Sequence, residues 1–138
     1  MTDIFSKTSF ILDELGRMQG EYCAYNSDGN ICYTVNYVDN VMHGETIFYF
    51  TNGAIQSKVM MVDGLTQGKS TSYYDDGRLM LECWYKDDTL HGEYIMYFDG
   101  KVVKTLYHYG EDLEVDPDTL TEQDRLYIMM SGRIPPRV

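Results

Sequence analysis

Gly44-Glu45-Thr46-Ile47-Phe48-Tyr49-Phe50-Thr51-Asn52-Gly53 is answered 24 residues later by Gly68-Lys69-Ser70-Thr71-Ser72-Tyr73-Tyr74-Asp75-Asp76-Gly77, and the same interval joins Gly20, Gly44, Gly68 and Gly92. A fixed period of this length is the signature of a repeat architecture. Five residues after each glycine stands Tyr25, Tyr49, Tyr73 or Tyr97, and a turn dipeptide follows: Asp28-Gly29, Asn52-Gly53, Asp76-Gly77 and, one residue early, Asp99-Gly100. Such dipeptides supply the positive φ of tight hairpin turns. Apolar residues restart the chain at Ile31, Ile55, Leu79 and Val102, with Val35, Val59, Cys83 and Leu106 four positions on, so one side recurs with the period of a strand. Asp39-Asn40, Asp63-Gly64 and Asp87-Asp88 supply a second turn before the next glycine. The unit is strand, turn, strand, turn.

Full copies are expected at 20–43, 44–67, 68–91 and 92–110. Glu14 to Glu21 lines up with Val38 to Glu45 and with the segment ending Gly92-Glu93, so a half repeat at about 6–19 precedes them, its strand running from Ser6 to Asp13. A short amphipathic helix over Phe10 to Leu15 is the rival reading. After the last copy, Glu111, Asp112, Glu114, Asp116 and Asp118 crowd an acidic linker at 111–118 containing Pro117. A helix and tail fill 119–138: Thr121 and Asp124 hold capping-box positions, Leu126, Tyr127, Met129 and Met130 offer an apolar side, and Gly132 ahead of Pro135 and Pro136 ends it. The helix is expected to cap the open end of the sheet, where a terminal unit lacks a neighbour.

At 138 residues the chain makes one domain. Its 22 acidic against 11 basic residues give a net charge of -11, which disfavours nucleic acid and anionic lipid and favours a partner with a basic surface. The basic residues form no cluster that a phosphoinositide would want. Cys23, Cys32 and Cys83 show no zinc spacing and read as reduced thiols. With no charged-then-apolar leader and no apolar run near ~20 residues, the expected compartment is the cytoplasm.

Catalytic and metal motifs are lacking. His43 and His91 precede equivalent glycines where the other copies carry Gln19 and Gln67, so they read as turn residues that cap backbone groups; His108 stands on a strand. Asp75-Asp76 and Asp87-Asp88 fall in turns, where Asp is selected for the backbone. The EF-hand loop, the phosphate-binding glycine loop, the nucleophile elbow and the zinc-protease helix motif do not occur. Neither a catalytic residue, a metal site nor a cofactor is expected.

The Gly-Glu-x-x-x-Tyr-Phe pattern, with its Asp-Gly turns, resembles MORN repeats, especially the variant form of small bacterial proteins, over roughly residues 6–110. The resemblance implies a mainly β fold, an elongated twisted antiparallel sheet of repeated hairpins, with one short C-terminal helix and no enzymatic chemistry in the repeats. Some variant-repeat proteins of this size are assigned as antitoxins and others act as scaffolds or accessory parts of larger enzymes. Lys69 in place of Glu, Asn26 in place of an aromatic and the short fourth copy depart from the pattern.

Two faces are expected. The recurring Tyr25, Tyr49, Tyr73 and Tyr97, with Ile31, Ile55, Leu79, Val102, Val35, Val59 and Leu106, form a stability face. Phe48, Phe50, Met60, Tyr74, Trp84, Met96, Phe98, Tyr107 and Tyr109 vary between copies, so the candidate partner-binding residues on the opposite side are Phe48, Phe50, Tyr74, Trp84, Met96, Phe98, Tyr107 and Tyr109. The acidic residues Glu111, Asp112, Glu114, Asp116 and Asp118 are a second candidate, for a basic channel on the partner. The expected function is a non-catalytic protein-binding module, of the kind that neutralises a toxin or effector; a self-assembling scaffold or homo-oligomer is the alternative, and membrane tethering or an enzyme stands further off.

Overall fold

The computed structural model describes residues 7–136. The expected start of the half repeat at Ser6 and the end of the C-terminal tail, residues 137 and 138, lie outside them. Twelve strands form one antiparallel sheet: β1 (Lys7–Leu12), β2 (Met18–Tyr25), β3 (Ile31–Val38), β4 (Val41–Met42), β5 (Gly44–Tyr49), β6 (Ile55–Val62), β7 (Leu65–Thr66), β8 (Gly68–Tyr73), β9 (Leu79–Lys86), β10 (Thr89–Phe98), β11 (Lys101–His108) and β12 (Glu111–Asp112). A 3-10 turn (Pro117–Thr119) and helix α1 (Glu122–Ser131) follow. The order β1-β2-β3-β5-β6-β8-β9-β10-β11-β12 keeps chain neighbours adjacent, with β4 and β7 as short returns on β3 and β6. From β1 to β12 the sheet is roughly 40 Å across, at about 4.8 Å per strand. The mainly β, hairpin-repeat fold expected from the sequence is the fold observed.

Two turn types alternate, each for a stated reason. In the first, Asn26 N–H donates to Asn30 O (2.8 Å) and Gly29 N–H to Asn26 O (3.0 Å), and Phe50 to Ala54 and Tyr74 to Arg78 close in the same way. Side-chain oxygens of Asn26, Asn52 and Asp76 accept neighbouring turn N–H groups, the usual role of Asn and Asp there. The second type has two residues, at Asp39-Asn40, Asp63-Gly64, Asp87-Asp88 and Tyr109-Gly110, all at positive φ, and in the last hairpin the two-residue turn Asp99-Gly100 stands in place of the first type. Asp13 to Arg17 closes like the first type, with Asp13 N–H on Arg17 O (2.9 Å). The half repeat therefore aligns by its five-residue turn, not with Val38 to Val41 as expected, and the rival helix gives way to β1.

Successive copies are stitched at the second turns. Asn40 N–H reaches Met18 O (3.0 Å), Gly64 N–H reaches Met42 O (2.8 Å), Asp88 N–H reaches Thr66 O (3.0 Å) and Gly110 N–H reaches Leu90 O (2.7 Å). The side chain before each repeating glycine adds a second tie. Gln19 Oε1 accepts from Asp39 N–H (3.1 Å), His43 Nδ1 from Asp63 N–H (3.3 Å) and His91 Nδ1 from Tyr109 N–H (3.0 Å), while Gln67 donates to the Asp87 carboxylate. His43 and His91 are thus backbone caps interchangeable with Gln.

The repeating glycines mark bulged or broken strand positions, and Gly20 and Gly92 lie inside β2 and β10 rather than at strand boundaries. Gly44 (φ 113°) and Gly92 (φ 119°) need their lack of Cβ twice over, since a Cβ there would stand 3.2 Å from Asn36 Cβ and 3.3 Å from Trp84 Cβ.

Helix α1 keeps its expected ends: Thr121 and Asp124 form the capping box, and Gly132 (φ 72°) closes it. Its apolar side is otherwise than expected. Ile128 and Asp124 are buried, while Leu126, Tyr127, Met129 and Met130 are exposed. The helix lies over the last hairpin, with Arg125 on Glu93 (3.2 Å) and Ile128 beside Leu106 and His108. No helix among the described residues is long and apolar enough to cross a membrane.

Candidate protein-binding face

Residues directly opposite in an antiparallel pair share a face, and alternation along each strand extends that face across the sheet. Tyr33 opposes Phe48, Phe48 opposes Ser57, Ser57 opposes Ser72, Ser72 opposes Leu81, Leu81 opposes Met96 and Met96 opposes Val103, one row across seven strands. A second row on the same side carries Tyr22 with Val35, Thr46 with Val59, and Ser70 with Cys83, Tyr94 and Thr105. Tyr37, Met61, Tyr85 and Tyr107 add a third, each opposite a repeating glycine. None of these residues is charged; Lys101, opposite Phe98 beside the Asp99-Gly100 turn, and Asp112, opposite Tyr107 on β12, are the charges at the margin.

The other face carries the charge: Glu21, Glu45, Lys58, Lys69, Glu82, Glu93 and Lys104 alternate with Cys23, Ile47, Met60, Trp84 and Ile95. Lys69 Nζ sits on Glu82 Oε2 (2.5 Å) and 5.5 Å from the Trp84 ring, and Tyr97 O–H donates to Glu82 Oε1 (2.7 Å). Donation from Lys69 and then Tyr97 holds the Glu82 carboxyl below its ordinary range.

Aromatic rings concentrate on the uncharged face. Phe10, Tyr22, Tyr33 and Phe48 form a ladder with centroids 6.0, 6.2 and 5.9 Å apart, and Tyr94 meets Tyr107 edge-on at 5.7 Å. Burial, reinforced by neighbouring tyrosines, pushes the Tyr33 hydroxyl pKa up, and burial does the same at Tyr85 and Tyr94. These hydroxyls therefore stay neutral at ordinary pH. Burial also raises the Cys83 thiol, which leaves little thiolate to react. Among the described residues no group of three His, Cys, Asp or Glu side chains is placed to hold a metal ion. What the face offers is contact area: Phe48, Met96 and Val103 are each about two-fifths exposed.

The expected binding residues do not share one side. Phe48, Met96 and Tyr107 lie on the uncharged face with Phe98 at its margin; Trp84 and Met60 lie on the charged face; Phe50 and Tyr74 open five-residue turns, and Tyr109 (φ 46°) belongs to a two-residue turn. The stability face also divides. Tyr25, Tyr49 and Tyr73 oppose Ile31, Ile55 and Leu79 across a register shift, but the last hairpin has none, and there Tyr97, Val102 and Leu106 turn to the charged face. The physical reason is the short turn. Phe98 opposes Lys101 across Asp99-Gly100, so the bulge residue is gone and Thr105, not Leu106, opposes Tyr94 as Val35 opposes Tyr22. The reversal buries Leu106 beneath α1.

The acidic segment is largely engaged. Glu111 and Asp112 pair with β11, Asp112 Oδ1 accepts Glu114 N–H (2.7 Å), Asp116 caps the 3-10 turn and Asp118 binds Lys104 Nζ (2.8 Å).

Residues 18–39 and 42–63 match the family model of the MORN repeat variant. Among curated proteins none matches the chain. The two MORN matches cover β2 and β3 with their turns, and β4 stub to β6. Beyond them the same turn and stitch hydrogen bonds recur in β8–β9. The MORN repeat is a non-catalytic module.

Proposed function

We propose that this chain is a non-catalytic protein-binding module that engages another protein through its uncharged face. The observation that carries the reading is the segregation of charge: a chain of net charge -11 keeps a surface of Tyr, Phe, Met, Leu, Ser and Thr from β2 to β11 without an acidic side chain, Asp112 on the short β12 standing at its edge. Exposed apolar surface of that extent in a protein marks an interaction site. Acidic turns rim the face and would steer a partner with a basic surface, which raises the association rate and makes it fall with salt. Within this reading Phe48, Met96, Phe98 and Tyr107 are contact residues, and Trp84 is occupied by Lys69. The finer role is that of an inhibitor or antitoxin-type protein whose sheet covers a partner's active cleft.

The test compares affinity capture from the native host by the wild-type chain, by Phe48→Asp/Met96→Asp and by Met130→Asp, each first checked for a native circular dichroism spectrum. A specific protein retained by wild type and Met130→Asp but lost by the face variant supports the reading. Retention of the same protein by the folded face variant overturns it.

A further inference from the structure

The two ends of the sheet are finished differently. At the C-terminal end, β11 carries Lys101 and Lys104, is followed by a two-residue β12, accepts Leu113 N–H at Leu106 O (2.9 Å) and is bridged to the 3-10 turn by Lys104 and Asp118. Short final strands, lysines and a covering segment are the devices that stop an edge from pairing further. At the N-terminal end, β1 pairs with β2 alone among the described residues. Phe10 (51%), Ile11 (62%) and Leu12 (51%) stand exposed there in succession, and no acidic residue occurs from Lys7 to Leu12. The edge is also straight. Between Ser9 and Ile11 the partner register moves from Cys23 to Gln19, so the extra residues belong to β2 and β1 itself carries no bulge.

We propose that β1 pairs antiparallel with β1 of a second copy of this chain, joining two sheets edge to edge about a two-fold axis. The occupant is argued from self-complementarity. An axis through Phe10 sets Phe10 against its own counterpart, Ser9 against Ile11 and Thr8 against Leu12. The Phe48, Tyr33, Tyr22, Phe10 ladder, with ring spacings near 6 Å, ends at this edge with Phe10 half exposed. Pairing continues that ladder without interruption from one copy into the next. In a chain of net charge -11, positions 8–12, which pair among themselves about this axis, carry no carboxylate. The dimer stands apart from the partner reading, since it uses the edge and leaves the rest of the uncharged face open.

Light scattering of the full chain over a wide concentration range tests it. The expected mass is twice 16.0 kDa, falling toward one chain on dilution. Phe10→Asp/Leu12→Asp places like charges across the symmetric pair and is expected to raise the dissociation midpoint by about tenfold or more. Both side chains are half exposed, so the variant is expected to keep its spectrum and melting temperature. Phe48→Asp and Met130→Asp are expected to leave the midpoint in place. A wild-type mass of one chain at every concentration overturns the proposal, as does a dimer broken by Phe48→Asp or Met130→Asp and kept by Phe10→Asp/Leu12→Asp, which would mean face or helix pairing. A monomer that takes up a synthetic extended peptide at β1 overturns it in favour of a foreign strand.

Discussion

Lys69 Nζ lies 2.5 Å from Glu82 Oε2, and the pair is a compensated exchange. The repeat places Glu at positions 21, 45 and 93, and the residue equivalent to Glu82 one copy earlier is Lys58, since Ile47 opposes Lys58 as Thr71 opposes Glu82. Restoring the repeat residue with Lys69→Glu therefore sets two carboxylates together at a site where the Glu82 side chain is only 15% exposed. The expected cost is about 1–3 kcal/mol in urea unfolding. Lys69→Glu combined with Glu82→Lys should regain most of it, and a double swap no better than the single change would show the pair uncoupled.

The same pair sets an acid response. Because the Glu82 pKa is lowered on folding, chiefly by Lys69 and then Tyr97, its contribution is full above the unfolded value of 4.5 and is lost as pH falls through the folded one. Wild type and Lys69→Met are thus expected to differ most in melting temperature above pH 5 and to converge at lower pH.

His91 gives a second pH signature. Burial, with His108 and Lys86 adding repulsion, lowers its pKa below 6.5, and its Nδ1 must be unprotonated to accept Tyr109 N–H. Tyr109 faces it from the turn and Arg125 from α1. Its contribution is present above pH 6.5 and is lost as pH falls through the lower folded value. His91→Gln, the residue that the other copies use, is expected to melt with wild type at pH 7.5 and above wild type at pH 5. His91→Ala should cost about 1 kcal/mol at pH 7.5 by leaving the turn N–H without its acceptor.

Glycine substitutions should separate a crowded position of positive φ from an open one. Gly92→Ala meets both a positive φ and Trp84 Cβ at 3.3 Å, whereas Gly53→Ala at φ 87° meets nothing within 4 Å. The expected costs are about 2–3 kcal/mol for Gly92→Ala and about 1 kcal/mol for Gly53→Ala. Equal melting temperatures would remove the close-approach argument.

On α1, Ile128→Ala should cost about 2–4 kcal/mol, while Met130→Lys, at 85% exposure, should change stability by less than about 0.5 kcal/mol.

The hairpin array was legible because turn chemistry and strand alternation repeat on one clock. Asp39-Asn40, Asp63-Gly64 and Asp87-Asp88 announce their turns, and the Gln/His alternation before the glycines correctly pointed to backbone caps. Tyr109-Gly110 escaped because the last copy closes two residues early, so the fourth turn stands 22 residues after Asp87 rather than 24. The same deletion hid the facing of Val102 and Leu106. A loss of one bulge reverses every later side chain in the hairpin, and nothing in the local residues of β11 records it. The face assignment suffered likewise: Phe48 and Trp84 both vary between copies, but one opposes Ser57 and the other Lys69. Helix α1 was legible in its caps and not in its buried side, because Leu126, Met129 and Met130 look like a core stripe until the seating of Arg125 and Ile128 on the last hairpin is known.

Each second turn rests on a carbonyl belonging to the copy before it, so the joints between copies are alike even though the copies differ. A whole extra unit of 24 residues inserted between Gly44 and Gly68 would find compatible sockets on both sides. The lineage of such a chain can lengthen or shorten by duplication and loss in its middle, while the reversed final hairpin and its helix remain as a fixed terminus.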